Sequence, residues 1–102
     1  MSELSVWLDD VRPAPEGWTW VTTPEQVISL LEAGQVARLS LDHDLGLGEE
    51  RTGYSVLVWI EEAVALRNFV PPAAIAIHSA NPVGRQRMEQ ALEAIARVAR
   101  QR

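Results

Sequence analysis

The chain has 102 residues, no cysteine, 47% apolar residues and a formal net charge of -5. That is one domain's length, spanning 1–102, with material for a modest core, and it excludes a disulfide framework, a zinc-thiolate site and a thiol nucleophile. The acidic balance argues against duplex DNA as a partner, since such binding rests on a basic surface.

Leu4 to Leu8 is an apolar run with β-formers, which predicts a short strand buried on both faces. Val11 to Gly17 holds two prolines and a glycine and reads as a loop. Trp18 to Thr22 has strand chemistry with period-two alternation. A helix then opens at Thr23-Pro24-Glu25-Gln26, with Thr23 as N-cap, Pro24 at the first helical position and Gln26 completing a capping box. Val27, Ile28, Leu30 and Leu31 form its apolar face, and Gly34 ends it.

Val36 to Leu41 predicts the second buried strand, and Gly46 to Thr52 an acidic, glycine-containing loop. Gly53 to Arg67 reads as a helix with Leu57, Ile60 and Val64 at helical spacing. Pro71-Pro72 breaks the chain before a third buried strand, Ala73 to Ile77. Asn81 as N-cap and Pro82 at N1 open the last helix, which turns Met88, Ala91, Leu92, Ile95 and Val98 or Ala99 to the core. The C-terminal arginines complement its dipole. The order β, β, α, β, α, β, α favours a parallel sheet.

Every aspartate and both histidines stand at the polar end of one of those apolar runs. Val6-Trp7-Leu8 ends in Asp9-Asp10, Leu39-Ser40-Leu41 in Asp42-His43-Asp44, and Ala74 to Ile77 in His78-Ser79. In a parallel sheet these ends share one edge, where open α/β sheets bind ligands. An Asp-Asp pair on its own often means one carboxylate capping a turn and one in solvent. Asp42 on a neighbouring strand favours a common site instead. Trp7 and Trp59 lie in apolar patterns and are expected in the core, whereas Trp18 and Trp20 pack near the proline loop.

The acidic pair after the first strand, Asp42 followed by Leu45 and Gly53, and Ser79-Ala80 together resemble a receiver domain, the phosphoacceptor module of two-component signalling. The motifs Leu-Asp-Asp-Val-Arg-Pro (8–13), Leu-Asp-His-Asp-Leu-Gly (41–46) and Ile-His-Ser-Ala-Asn-Pro (77–82) resemble a narrower group, the cyclic-phosphate-processing receiver-like domains. The resemblance implies a truncated flavodoxin-like α/β fold. About four mostly parallel strands and three helices are expected, without the receiver's first helix, fifth strand and last helix. It also implies a phosphoesterase acting on cyclic phosphates of nucleotides or RNA ends. Asp9, Asp10 and Asp42 correspond to receiver-type Mg²⁺ ligands, with Mn²⁺ as a substitute, and hard carboxylate oxygens suit such ions.

His43 and His78 set the chain apart from an ordinary receiver, because two imidazoles can divide the roles of general base and general acid. Asp44 is placed to orient one of them. Ser79, Asn81 and Arg12 are the expected phosphate contacts, with Arg85 or Arg87 as further ones; Asn81 opens a helix whose N-terminus attracts anions. A metal-free version would rely on the two histidines alone. Two other readings stay open: a signalling receiver that accepts phosphate on Asp42, and a non-catalytic cyclic-nucleotide or protein-binding module. The absence of lysine, all nine cations being arginine, counts against the first. No leader or membrane-spanning segment is expected, which predicts a cytoplasmic protein, and the exposed sheet edge suggests a homodimer.

Overall fold

A computed structural model describes residues 4–101. Seven elements follow in the expected order: β1 (Leu4–Leu8), β2 (Thr19–Val21), α1 (Pro24–Glu32), β3 (Val36–Leu41), α2 (Gly53–Arg67), β4 (Ala74–Ile77) and α3 (Pro82–Arg100). The strands form one sheet in the order β2-β1-β3-β4, and every pairing is parallel. This is an open, receiver-like α/β fold of four strands and three helices.

The local signals act as their chemistry requires. Thr23 and Gln26 form a reciprocal capping box at α1, Pro24 occupies the first turn, and Gly34 leaves the helix with a φ of 71°. Thr52 caps α2 in the same way with Ser55. The Asn81 side chain accepts from the Gly84 N–H at the start of α3. Each such cap satisfies backbone donors that the first helical turn leaves without partners and stabilises by about 1 kcal/mol. Arg97 and Arg100 lie in the last turn of α3; Arg102 lies outside the described residues.

The strands differ from expectation in one respect: helices pack on one face only, and although Ser5 and Ser40 are buried on the other, β4 has no buried residue. Val6, Leu8, Leu39 and Leu41 are fully enclosed, together with Val27, Leu57, Ile60, Val64 and Met88 from the helices. The helices touch in series, α1 to α2 and α2 to α3, so they make a single layer over that face. The smallest dimension of the molecule is 18 Å, which leaves room for two layers. On the other face Arg38, Ala74 and Ala76 are exposed. β4 is therefore a half-open edge strand rather than a buried one.

The loop from Val11 to Trp18 takes the place of a helix on that open face. Trp7 lies there, not in the core. Its indole N–H donates to the Arg12 carbonyl, Trp18 meets it edge-on, and the Arg38 guanidinium lies over Trp18. Trp59 is half-buried against the core, edge-on to Phe69. No helix among the described residues is long and apolar enough to cross a membrane.

Candidate active site

Sheet hydrogen bonding continues one residue past the strands and brings their polar ends into register. Asp9 N–H donates to Val21, Asp42 N–H to Leu8 and His78 N–H to Leu41, all at 2.9–3.2 Å. Asp9, Asp42 and His78 therefore stand on ladder positions rather than on free loops.

Asp9 is buried and held by four donors. Its Oδ1 accepts the Val11 and Arg12 backbone N–H groups, both at 2.9 Å. Its Oδ2 lies 3.1 Å from His78 Nε2 and 3.4 Å from Arg12 Nε. Burial pushes this carboxyl up, but the two backbone donors, then His78 and Arg12, outweigh it and hold Asp9 below the ordinary carboxylate range. Asp42 has the opposite balance: burial first, and then the Asp9 charge, raise it, against a single 2.8 Å bond from the His43 backbone N–H. Asp10 stands exposed beside them. One oxygen from each of the three lies within 4.8 Å of the others. Two facing carboxylates, one of them raised by its neighbour, form a donor set of hard oxygens that a divalent cation would relieve. The residues thus fit a metal ion of the Mg²⁺ class.

The two histidines have different surroundings. His78 turns to the open face of the sheet, where its ring stacks on Trp7 at 3.8 Å and 5°. Its Nδ1 is 2.7 Å from the Ser40 hydroxyl and its Nε2 faces Asp9. Burial lowers its pKa from the ordinary value despite the pull of the Asp9 and Asp42 charges, which favours the neutral ring. An ionised Asp9 only accepts, so Nε2 carries the proton and Nδ1 accepts from Ser40. Both ring nitrogens are thereby occupied.

His43 leans the other way, against α3. Its ring packs on Gly84, where an added Cβ would come within 2.5–2.7 Å of three ring atoms. Nδ1 bonds Asp44 at 2.9 Å. That bond, followed by one from Asn81, holds the Asp44 carboxyl below its usual range. Nε2 has no partner among the described residues, and no buried side-chain nitrogen or oxygen there lacks one. Nε2 therefore opens to solvent.

Asn81 is doubly engaged, accepting from Gly84 and donating to Asp44 at 3.2 Å. Ser79 Oγ accepts the Asn81 N–H in a local turn, which leaves its hydroxyl proton free to donate. Arg12 is half-exposed and keeps its terminal nitrogens uncommitted beyond its Nε contact to Asp9. Arg85 is spent on the Ile77 carbonyl and Glu89. Arg87 lies over Tyr54. A cleft of about 980 Å³ has His43, Asp44, Asn81, Tyr54 and Arg87 in its lining; Asp9, Asp10 and Asp42 do not line it.

A family model described as the cyclic-phosphate processing receiver domain matches residues 4–94. The chain belongs to that family. No curated protein and no solved structure gives a match beside it. In this cyclic-phosphate processing receiver domain, the Asp9, Asp10 and Asp42 cluster is a feature of the strand ends that sequence reading located. Ser40, Trp7, Tyr54 and Gly84 went unremarked as site residues. Ser40 was within reach of the pattern, since it alternates with Leu39 and Leu41 and so faces the side of the sheet that His78 occupies. Nothing local marks Gly84 or Tyr54.

Proposed function

We propose that the protein is a phosphoesterase that hydrolyses cyclic phosphates of nucleotides or RNA ends. The observation that carries this is the Asp44–His43 pair, which lines a cleft and whose solvent-open Nε2 belongs to the residue next to Asp42 of the carboxylate cluster. Asp9, Asp10 and Asp42 would hold Mg²⁺ or Mn²⁺, which when bound neutralises phosphate charge and polarises its oxygens.

The roles of the histidines follow from their contacts. His43 Nε2 is free to exchange a proton with substrate, and Asp44 orients the ring through its bond to Nδ1. In an in-line displacement the entering and leaving oxygens lie on opposite sides of phosphorus. We assign His43 to the leaving ribose oxygen, because the cleft that would take the sugar opens on its side. Water adds to phosphorus, the ring P–O bond breaks, and the His43 proton goes to the ribose oxygen. The proton lost by water passes to solvent, from which His43 is recharged. His78, with both nitrogens engaged, is a positioning residue that holds Asp9 rather than a second acid or base. This departs from the shared acid–base role that two histidines suggest in the sequence. Ser79 and Arg12 retain free donors and are the phosphate contacts in this reading, with Asn81 acting on Asp44.

The test is turnover of 2′,3′-cyclic and 3′,5′-cyclic nucleotides with Mg²⁺, with Mn²⁺ and with chelator. Turnover abolished by His43→Ala but only weakened by His78→Ala is expected. Intact substrate in every lane would sink the proposal.

A further inference from the structure

The Asp44–His43 pair accounts for only part of the cleft lining. A phosphate at His43 Nε2 fills a small part of about 980 Å³, and clefts of several hundred Å³ ordinarily enclose a whole small molecule. The remaining wall is available to the rest of the substrate.

Two features describe that wall. Tyr54, in the first turn of α2, faces Arg87 of α3, whose guanidinium carbon lies 4.5 Å from the ring centroid. Because α2 and α3 pack along their length, this aromatic–cation pair stands on two rigid helices. The pair borders the cleft, where both π faces and guanidinium planes are stacking partners for a flat heterocycle. The second feature is charge. Asp44, Glu49 and Glu50 line the cleft together with Arg87 and His43. Such a wall repels a second phosphate and suits a neutral group rich in N–H and O–H donors.

We propose that the cleft is a nucleoside pocket: the Tyr54–Arg87 pair is the platform for the base, and Glu49 and Glu50 meet its amino or hydroxyl donors. This rests on the cyclic-phosphate reading for the phosphate end and names the residues that would select the nucleoside. Small alkyl cyclic phosphates and polyphosphorylated nucleotides are disfavoured. Trp20, which is 46% exposed and donates to the Asp9 carbonyl on the other side of the cluster, is the rival platform. It lies outside the cleft that His43 lines.

The experiment is a calorimetric titration that does not depend on turnover. Two phosphomonoesters of secondary alcohols, adenosine 3′-monophosphate and glycerol 2-phosphate, differ in the nucleoside. The nucleotide is expected to bind about tenfold tighter or better, the range that one base stack supplies. Tyr54→Leu should bring that ratio to about twofold or less, while leaving glycerol 2-phosphate affinity unchanged, which also certifies a folded variant. Tyr54→Phe should keep the preference. Equal affinities in the wild type, a preference that survives Tyr54→Leu, or one lost in Trp20→Ala instead would overturn the inference. A Tyr54-dependent preference in a protein that turns over no cyclic nucleotide would uphold the pocket and reject the phosphoesterase.

Discussion

Gly84→Ala separates helix chemistry from site chemistry. Gly84 lies in the first turn of α3, and replacing glycine by alanine inside a helix ordinarily stabilises by about 0.5–1 kcal/mol. Here the new Cβ would lie 2.5 Å from His43 Cγ and 2.7 Å from Cδ2 and Nδ1. Ordinary carbon contacts are about 3.5–4.0 Å, so the ring must withdraw by roughly 1 Å. The atoms struck include Cγ, so rotation about the outer bonds does not relieve the clash. The 2.9 Å bond from Nδ1 to Asp44 is the interaction lost. Overpacking of this kind costs about 1–3 kcal/mol, so net destabilisation is about 0–2.5 kcal/mol once the helix gain is subtracted. Misplacing a reacting group by roughly 1 Å costs about 100-fold in rate. Urea unfolding should therefore show a small loss while kcat on a cyclic nucleotide falls about two decades. A variant that is stabilised and fully active would refute both the contact and the role given to His43.

Other consequences follow from the same contacts. His78→Ala removes a donor from buried Asp9 and strands the Ser40 hydroxyl, so urea denaturation should reveal a loss of about 1–3 kcal/mol. Its effect on kcat should be far smaller than that of His43→Ala at saturating Mn²⁺; equal losses would mean that His78 touches substrate. Asp42→Asn keeps the oxygen that accepts the His43 N–H but deletes the charge that Asp9 opposes, so the variant should melt higher than wild type in chelator. Mg²⁺ at about 100 times its dissociation constant should stabilise wild type by about 2.7 kcal/mol. The same addition should leave Asp42→Asn unmoved, and an identical shift in both would place the ion elsewhere. Thr52→Ala removes the cap that seats α2 against the end of β3 and should cost about 1 kcal/mol by thermal unfolding.

Much of the fold and part of the site are legible in the sequence because they rest on neighbours along the chain. Thr23 with Gln26, and Asn81 with Pro82, mark helix starts through bonds that span three residues, and those helices begin where these signals stand. Asp9-Asp10 and Asp42 mark strand ends because polar residues close apolar runs, and parallel pairing brings their oxygens within 4.8 Å. What the tertiary structure alone decided is which way each side chain turns and what covers it. Both histidines read alike in sequence, yet the ring of His78 is claimed by Trp7, Ser40 and Asp9, from 71, 38 and 69 residues away. His43 instead rests on a glycine of the last helix and keeps one nitrogen open. β4 reads as a buried strand because an apolar run does not reveal whether a second helical layer exists. Here none covers the open face among the described residues, and a tryptophan-bearing loop partly substitutes. The Tyr54–Arg87 wall joins residues 33 positions apart. It exists only because α2 and α3 pack side by side, a contact made by the folded core and invisible to any local pattern.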